Sequence, residues 1–143
     1  MIVIDEICPF CSREIKKRAV EEGSYSFVTL SDPRLAPGHL LIIPSRHIRI
    51  LSDLRNEEVV EIFKFLSKYQ KKILDMLSKG VEIRQNYKPY FKNSRTHVNH
   101  LHFHLVPREE TDEIAKKLDT KRKSLYKELQ LDEAERILGI LTN

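Results

Sequence analysis

The sequence predicts an α+β fold in which an antiparallel sheet packs against one long helix. The first observation is the order of segments: strand-like stretches precede, flank and follow a single long helix-like stretch, without the regular alternation that builds a parallel sheet. The second is length, because 143 residues suffice for one hydrophobic core. The third is composition, since 41% hydrophobic and 32% charged residues are typical of a soluble globular protein.

The N-terminal part predicts one short helix and two strands. A turn with two cysteines precedes a helix over about Ser12–Glu22. The stretch Ser24–Leu30 alternates and is rich in β-prone residues, which favours a strand. The apolar run His39–Ile43 suits a buried strand, and Pro44 ends it.

The segment from Asn56 to Lys79 is the clearest helix in the sequence. Apolar side chains recur three and four residues apart along it, and Gly80 suits its C-terminal end. This spacing predicts an amphipathic helix with one apolar face. The side chains predicted on that face are Val59, Ile62, Phe63, Leu66, Tyr69, Ile73, Leu74 and Leu77.

The C-terminal part predicts two further strands and then helices. Val81–Asn86 and Val98–Val106 have strand character, and an irregular loop separates them. The residues after the second of these strands are predicted to be helical. Asp132 and Glu135 have capping-box spacing, which indicates the start of a last short helix.

Three histidines alternate with apolar residues in the last predicted strand. Because strand side chains alternate between faces, His100, His102 and His104 would share one face, and Leu101 and Phe103 the other. The apolar face has a packing role, whereas a row of imidazoles has none. A neutral imidazole is a competent nucleophile toward phosphorus near pH 7. The pattern therefore predicts phosphorus chemistry, with an idle surface strand or an accidental metal site as the alternatives.

Cys8 and Cys11 form a single Cys-x-x-Cys pair near the N-terminus. In a chain without export signals, such a pair favours metal binding or redox chemistry over a disulfide framework. A thioredoxin-like pair would lie between a strand and a helix, so half of a zinc site is the better interpretation. The alternative is an unmetallated pair of small apolar side chains.

Two blocks of the sequence resemble the histidine triad (HIT) family of nucleotide hydrolases and transferases. The block His100-Leu-His-Phe-His-Leu-Val-Pro-Arg108 is similar to the signature of that family. Upstream, Pro37-Gly-His-Leu-Leu-Ile-Ile-Pro-Ser-Arg-His47 is similar to its second hallmark. The order and separation of the blocks also match. The resemblance implies a HIT-like fold with a sheet of about five strands, one long central helix and, outside the family core, a helical C-terminal tail.

The resemblance also implies how the histidines act. His102 would attack the α-phosphorus of a bound nucleotide and form a nucleotidyl-histidine intermediate. His104 would contact the phosphate and the leaving group, and His100 would complete the catalytic set. Implied substrates are nucleoside phosphoramidates, dinucleoside polyphosphates and related nucleotides. A non-catalytic nucleotide sensor or adaptor, or a module that processes or binds nucleic-acid ends, is the alternative.

By the same resemblance, the chain carries a structural zinc site. His47 and His100 would join Cys8 and Cys11 as its four ligands. A catalytic zinc is disfavoured, because four protein ligands leave no open position for water.

Five residues are candidates for contacts with the nucleotide. Family members often bind ribose through an Asp or Asn at the position of Ser31, and Asp32 lies beside it. Asn86 occupies a plausible position for the family's usual Asn. His39 is interpreted first as a hydrogen-bonded structural histidine, with nucleotide contact as the alternative. Phe27 is a candidate for the wall that faces the base.

The loop before the histidines departs from the family pattern. The stretch Tyr87–Arg95 is longer, bulkier and more basic than the family's glycine-rich stretch. Its Lys88, Lys92 and Arg95 would contact distal phosphates or remain solvated. His97 stands where many members have Ser, and a strand over this region would place it on the face opposite the triad, unless a bulge intervened.

The net charge and the pattern of apolar residues limit which partners and which compartment we expect. The net charge of +4 favours anionic partners, but the basic residues near the C-terminus are interleaved with acids, so nucleic acid is not the favoured partner. No apolar run approaches roughly 18 residues, and Met1–Glu6 does not look like a signal peptide, so we expect no membrane partner and a cytoplasmic location. The resemblance implies a homodimer. We expect a core over residues 1–108, and a helical extension over 109–143 packed on the same domain.

Overall fold

The computed structural model describes residues 8–143 and contains one five-stranded sheet. The strands are β1 (Ala19–Glu22), β2 (Ser26–Leu30), β3 (Leu40–Pro44), β4 (Gly80–Arg84) and β5 (Phe103–Arg108). Their order across the sheet is β1-β2-β3-β5-β4, and all neighbours run antiparallel. The long helix α1 (Asn56–Met76) connects β3 to β4, and 3-10 helices cover Arg13–Arg18 and Leu51–Asp53. The predicted α+β fold is confirmed, whereas the features of Met1–Glu6 lie outside the described residues.

The first predicted helix is wrong over its second half. A 3-10 helix ends at Arg18, and residues 19–22 form β1, which pairs with β2 through Ala19↔Thr29 and Glu22↔Phe27. The β1–β2 turn is held from outside the hairpin, because the Glu61 carboxylate accepts hydrogen bonds from the backbone N–H groups of residues 24 and 25 at 3.0 Å. Cross-strand pairing therefore overrides the local helical preference of these charged residues.

The strand predicted over Val98–Val106 begins five residues later than expected. β5 starts at Phe103, which lies opposite Ile42 of β3. Before that point, the Leu101 N–H donates to the Ile48 carbonyl at 2.7 Å, so the chain is tied to the segment after β3 instead of extending the ladder. As a result, the first two histidines of the triad precede the strand, and strand alternation does not decide which way they face.

Helix α1 begins at Asn56 as predicted and packs on the sheet through a narrower face than predicted. Ile62, Leu66, Tyr69 and Ile73 are buried as expected, but so is Phe65 at 7% exposure. The predicted Phe63 is 69% exposed, and Val59, Leu74 and Leu77 are also exposed. The helix carries apolar residues on two adjoining stripes, and the sheet covers only one of them. Its last residue is Met76, and Gly80 starts β4 instead of capping the helix.

The chain divides into two compact units, with the boundary after Glu109. The second unit contains a π-helical segment (Ala115–Asp119), a short helix α2 (Thr120–Lys123) and a longer helix α3 (Leu131–Leu141). The predicted capping box is wrong, because Asp132 lies inside α3 and the N-cap residue is Gln130. Packing of this extension on the core stays a prediction. Within residues 8–143, no helix is both long and apolar enough to cross a membrane.

Candidate functional site

The ring of His102 is held by a backbone carbonyl of its own segment. Its Nδ1 lies 2.6 Å from the carbonyl oxygen of His100. Since a carbonyl can only accept, Nδ1 carries the proton, and in the neutral ring Nε2 keeps a free lone pair. Burial lowers the pKa of His102 despite this hydrogen bond, and the positive charge of Arg84 lowers it further. The ring is therefore neutral at pH 7 and has the tautomer that a nucleophile requires.

His104 is oriented by a relay that starts at a backbone amide. The Leu35 N–H donates to Nδ1 of His39 at 3.0 Å, so Nε2 of that ring carries the proton. This Nε2–H donates to Nδ1 of His104 at 2.9 Å, which leaves the proton of His104 on its own Nε2. Burial lowers the pKa of His39 to about 4 and that of His104 to about 3, so both rings are neutral at pH 7. The site thus presents an acceptor nitrogen on His102 beside a donor nitrogen on His104, with ring centroids 4.8 Å apart.

Two adjoining pockets meet at these two histidines. Both pockets are lined by Arg84, Thr96, Val98, His102 and His104. The first pocket extends toward the loop between β2 and β3, and the second toward the loop between β4 and the histidines. A substrate whose reacting atom lies over the histidines therefore has room on both sides of that atom.

The predicted nucleotide contacts are distributed between the two pockets. Ser31, Asp32 and His39 line the first pocket, and Asn86 lines the second. Phe27 lines neither pocket, because its side chain is 1% exposed and lies in the core cluster with Ile15, Leu41 and Ile43. The aromatic residue at the wall of the first pocket is instead Phe10, whose ring meets that of His102 edge-on with centroids 5.0 Å apart.

Two residues that were not among the predicted site residues also line the pockets. His97 lines the second pocket beside the histidines. The strand that would have placed it on the opposite face does not form, because residues 97–102 are not part of a strand. Arg84 lies directly opposite His104 in the sheet and lines both pockets. It precedes the candidate Asn86 by two residues, so strand alternation was the available signal for its position.

The two cysteines, His47 and His100 form a second cluster beside the pockets. Their ligand atoms all lie within 4.8 Å of one another. Cys8 Sγ is 3.4 Å from His100 Nδ1, Cys11 Sγ is 3.2 Å from His47 Nδ1, and the two Nδ1 atoms are 3.1 Å apart. Ligands around a tetrahedral zinc are about 3.3 to 3.8 Å from one another, given its usual bond lengths. The donor set and its spacing therefore fit a four-coordinate metal ion.

Tertiary contacts hold the two histidines of this cluster. The Nε2–H of His100 donates to the Pro44 carbonyl at 2.8 Å, which fixes its tautomer and leaves Nδ1 for the metal. The turn that carries His47 is tied to α1, because Arg46 binds the buried Glu58 carboxylate through both Nε and Nη2, at 3.3 and 2.7 Å. His100 is thus grouped with the cysteines and lines neither pocket, but its carbonyl oxygen accepts the hydrogen bond that orients His102.

The fold and the paired histidines define the class of protein. The HIT domain family model matches residues 12–111, so the chain belongs to the HIT domain family, and the resemblance seen in the sequence is confirmed.

Relatives within this family include nucleotide hydrolases. Adenosine 5'-monophosphoramidase of Saccharomyces cerevisiae is 34% identical over 111 residues, which are 73% of this chain and 65% of that enzyme. The asymmetrical bis(5'-nucleosyl)-tetraphosphatase of Schizosaccharomyces pombe is 29% identical over 92 residues, 62% of this chain and 47% of that enzyme.

Solved structures show the same fold. A HIT family protein from Bacillus anthracis superposes with a TM-score of 0.67 over 95% of both chains, at 21% identity. A zinc-bound histidine triad family protein from Mycobacterium smegmatis gives a TM-score of 0.63 over 76% of this chain and 80% of that one, at 23% identity.

Proposed function

We propose that the protein is a nucleotide hydrolase or nucleotidyl transferase that acts at the α-phosphate through a nucleotidyl-histidine intermediate. The observation that carries the proposal is the pair of opposite tautomers: an acceptor Nε2 on His102 beside a donor Nε2 on His104. Nucleotide hydrolysis by relatives supports the general class. The first pocket would hold the nucleoside, with Ser31 and Asp32 near the ribose, and Asn86 in the second pocket would contact the phosphate.

The reaction follows from the protonation states of the two rings. Nε2 of His102 attacks the α-phosphorus; a P–N bond forms while the bond to the leaving group breaks, and the leaving group departs with its electron pair. The ring becomes cationic, and its Nδ1–H bond to the His100 carbonyl strengthens as that charge develops. The Nε2–H of His104 donates a hydrogen bond to oxygens that gain charge. Water or another acceptor then attacks phosphorus, and His102 leaves with the electron pair of the P–N bond.

The four residues of the second cluster would hold a structural Zn2+. Four protein ligands leave no open position, so the ion would contribute stability and placement instead of activating water. Its ligand His100 also supplies the carbonyl that orients His102, which couples metal binding to the geometry of the nucleophile. The zinc-bound relative from Mycobacterium smegmatis supports this choice of metal.

The decisive experiment compares the wild type with His102→Asn on adenosine 5'-phosphoramidate, diadenosine tetraphosphate and an adenylated DNA end. We expect the variant to lose at least about a thousandfold in kcat on every substrate that the wild type cleaves. We also expect an acid-labile, phosphorus-linked histidine to be trapped on the wild type alone. Circular dichroism and unfolding curves verify that the variant is folded. Full turnover by His102→Asn would refute the mechanism, and nucleotide binding without turnover by the wild type would favour a sensor.

The homodimer implied by the family resemblance also belongs to this proposal. Sedimentation equilibrium across a range of concentrations tests it, because a dimer gives twice the monomer mass at the upper end and a monomer gives the same mass throughout.

A further inference from the structure

Arg84 is a cation at the junction of the two pockets. It ends β4 directly opposite His104 and is partly buried. Its Nε is buried and has no hydrogen-bond partner among residues 8–143. It lines both pockets together with His102 and His104, and His39 lines the first of them. A buried N–H without an acceptor is costly, and because this one belongs to a cation, the acceptor that suits it best is an anionic ligand.

Within residues 8–143, no acid forms an ion pair with Arg84. Glu82, the acid on the same strand, forms a 2.7 Å ion pair with Arg108. The second pocket is lined by Arg84, Lys88 and Lys92, and its lining includes no carboxylate among the described residues. The first pocket does include one, Asp32. That acid faces Arg95 at 3.8 Å, and Arg18 and Arg34 also line the first pocket, so both pockets are basic. The second pocket differs in having no carboxylate in its described lining to compete with an anionic ligand.

The wall of the second pocket is organised by Asn99. The backbone N–H of Asn99 donates to Asn93 Oδ1, and its side-chain amide donates to the Phe91 carbonyl, both at 2.8 Å. Its Oδ1 accepts from Nε2 of His97 at 3.0 Å. The His97 ring also packs edge-on against Phe91, with centroids 5.5 Å apart. The loop that carries the two lysines is thus fastened beside the histidines.

We propose that the second pocket is the leaving-group subsite, and that Arg84, with Lys88 and Lys92 at its rim, selects substrates whose leaving group is a polyphosphate chain over phosphoramidates, whose leaving group is an amine. This inference rests on the proposed function, which places the nucleoside in the first pocket and the scissile phosphorus over His102. A polyphosphate chain that continues past that phosphorus enters the second pocket, where the guanidinium fork can bind two phosphoryl oxygens. An amine leaving group brings no anion to this pocket.

Steady-state kinetics on two substrates test the selection. We expect the wild type to have a higher kcat/KM for diadenosine tetraphosphate than for adenosine 5'-phosphoramidate. Arg84→Gln should lower kcat/KM at least about tenfold for the tetraphosphate and less than about threefold for the phosphoramidate. Arg84→Lys, which keeps the charge but loses the fork, should fall between. The matched control is Arg122→Gln, which removes the same charge from an exposed position in the second unit. Equal losses on both substrates, or no loss on the tetraphosphate, would overturn the selection.

Binding of inorganic tripolyphosphate separates this proposal from the proposed function. Calorimetry with the His102→Asn variant needs no turnover, and we expect tripolyphosphate to bind it. Adding Arg84→Gln to that variant should weaken the binding of tripolyphosphate at least about tenfold and the binding of AMP less than about threefold. If Arg84→Gln and Arg122→Gln weaken the binding of tripolyphosphate equally, the subsite is refuted, even if the wild type hydrolyses nucleotides as proposed. Selective tripolyphosphate binding without turnover of any nucleotide would refute the proposed function and leave the anion subsite supported.

Discussion

Burial of His39 makes the stability of the protein depend on pH. Its side chain is 3% exposed, and its pKa is lowered to about 4 by burial and by the nearby charge of Arg84. The unfolded chain restores the ordinary pKa of about 6.5, so between these two values the unfolded state binds more protons. Stability therefore rises with pH across this window, and it is lost as pH falls below 6.5. For His39 alone, the loss between pH 8 and pH 5 is about 2 kcal/mol.

The perturbation that tests this reasoning is His39→Gln. The glutamine amide can still donate toward His104, but it does not titrate. We expect urea unfolding to show a difference between pH 8 and pH 5 that is about 2 kcal/mol smaller in the variant than in the wild type. Measuring both proteins with the same saturating zinc keeps the contributions of the metal ligands equal. The change in slope with pH is the readout, so a uniform loss of stability in the variant does not affect it. Parallel pH profiles for the two proteins would refute the reasoning.

Three further predictions test the core, the β1–β2 turn and the metal cluster. Phe65→Ala should lower the free energy of unfolding in urea by about 3 kcal/mol, because the ring is buried. Phe63→Ala, on the exposed stripe of the same helix, should change it by less than about 0.5 kcal/mol. Equal losses in the two variants would contradict the observed packing face. Glu61→Ala should cost about 1 to 2 kcal/mol, since it removes the acceptor for the hairpin amides, and an unchanged urea midpoint would argue against that role. Removing zinc should lower the free energy of unfolding by on the order of 4 kcal/mol if free zinc was at a thousandfold excess over its Kd. Cys8→Ser or Cys11→Ser should abolish this response. A Tm that changes neither with a chelator nor with these substitutions would exclude a structural metal.

Local patterns in the sequence were sufficient for most of the fold. The three-and-four spacing of apolar residues located α1, because that period is a property of a single helix. The same pattern did not separate Phe65 from Phe63, since which stripe is buried depends on where the sheet lies. β1 was missed for a related reason. The segment of residues 19–22 is only four residues long and ends in two glutamates, so it carries little local strand signal. Its strand conformation comes from hydrogen bonds to β2.

The candidate site shows the same division between local and distant information. Residue types and spacings pointed to histidine chemistry and to a cysteine pair. Arg84 was not singled out, because it belongs to a different strand. His97 was singled out, but its place at the pocket depends on a loop that hydrogen bonds to Asn99 help to hold, and no local pattern gives that path. The contact predicted for Phe27 was not found at either pocket, since the burial of an aromatic residue is decided by the core that surrounds it.

By itself, the sequence indicated histidine chemistry and a cysteine pair, because imidazoles and thiols at short, regular spacings are local features of the chain. It also determined the family, through two blocks that carry most of the site. Only the tertiary structure decided which atoms meet. Cys8 and His100 are separated by 92 positions, and His39 and His104 by 65, so their contacts depend on how the sheet and its loops close. Those contacts set the tautomers, and the roles proposed for His102 and His104 depend on which of their nitrogens carries the proton.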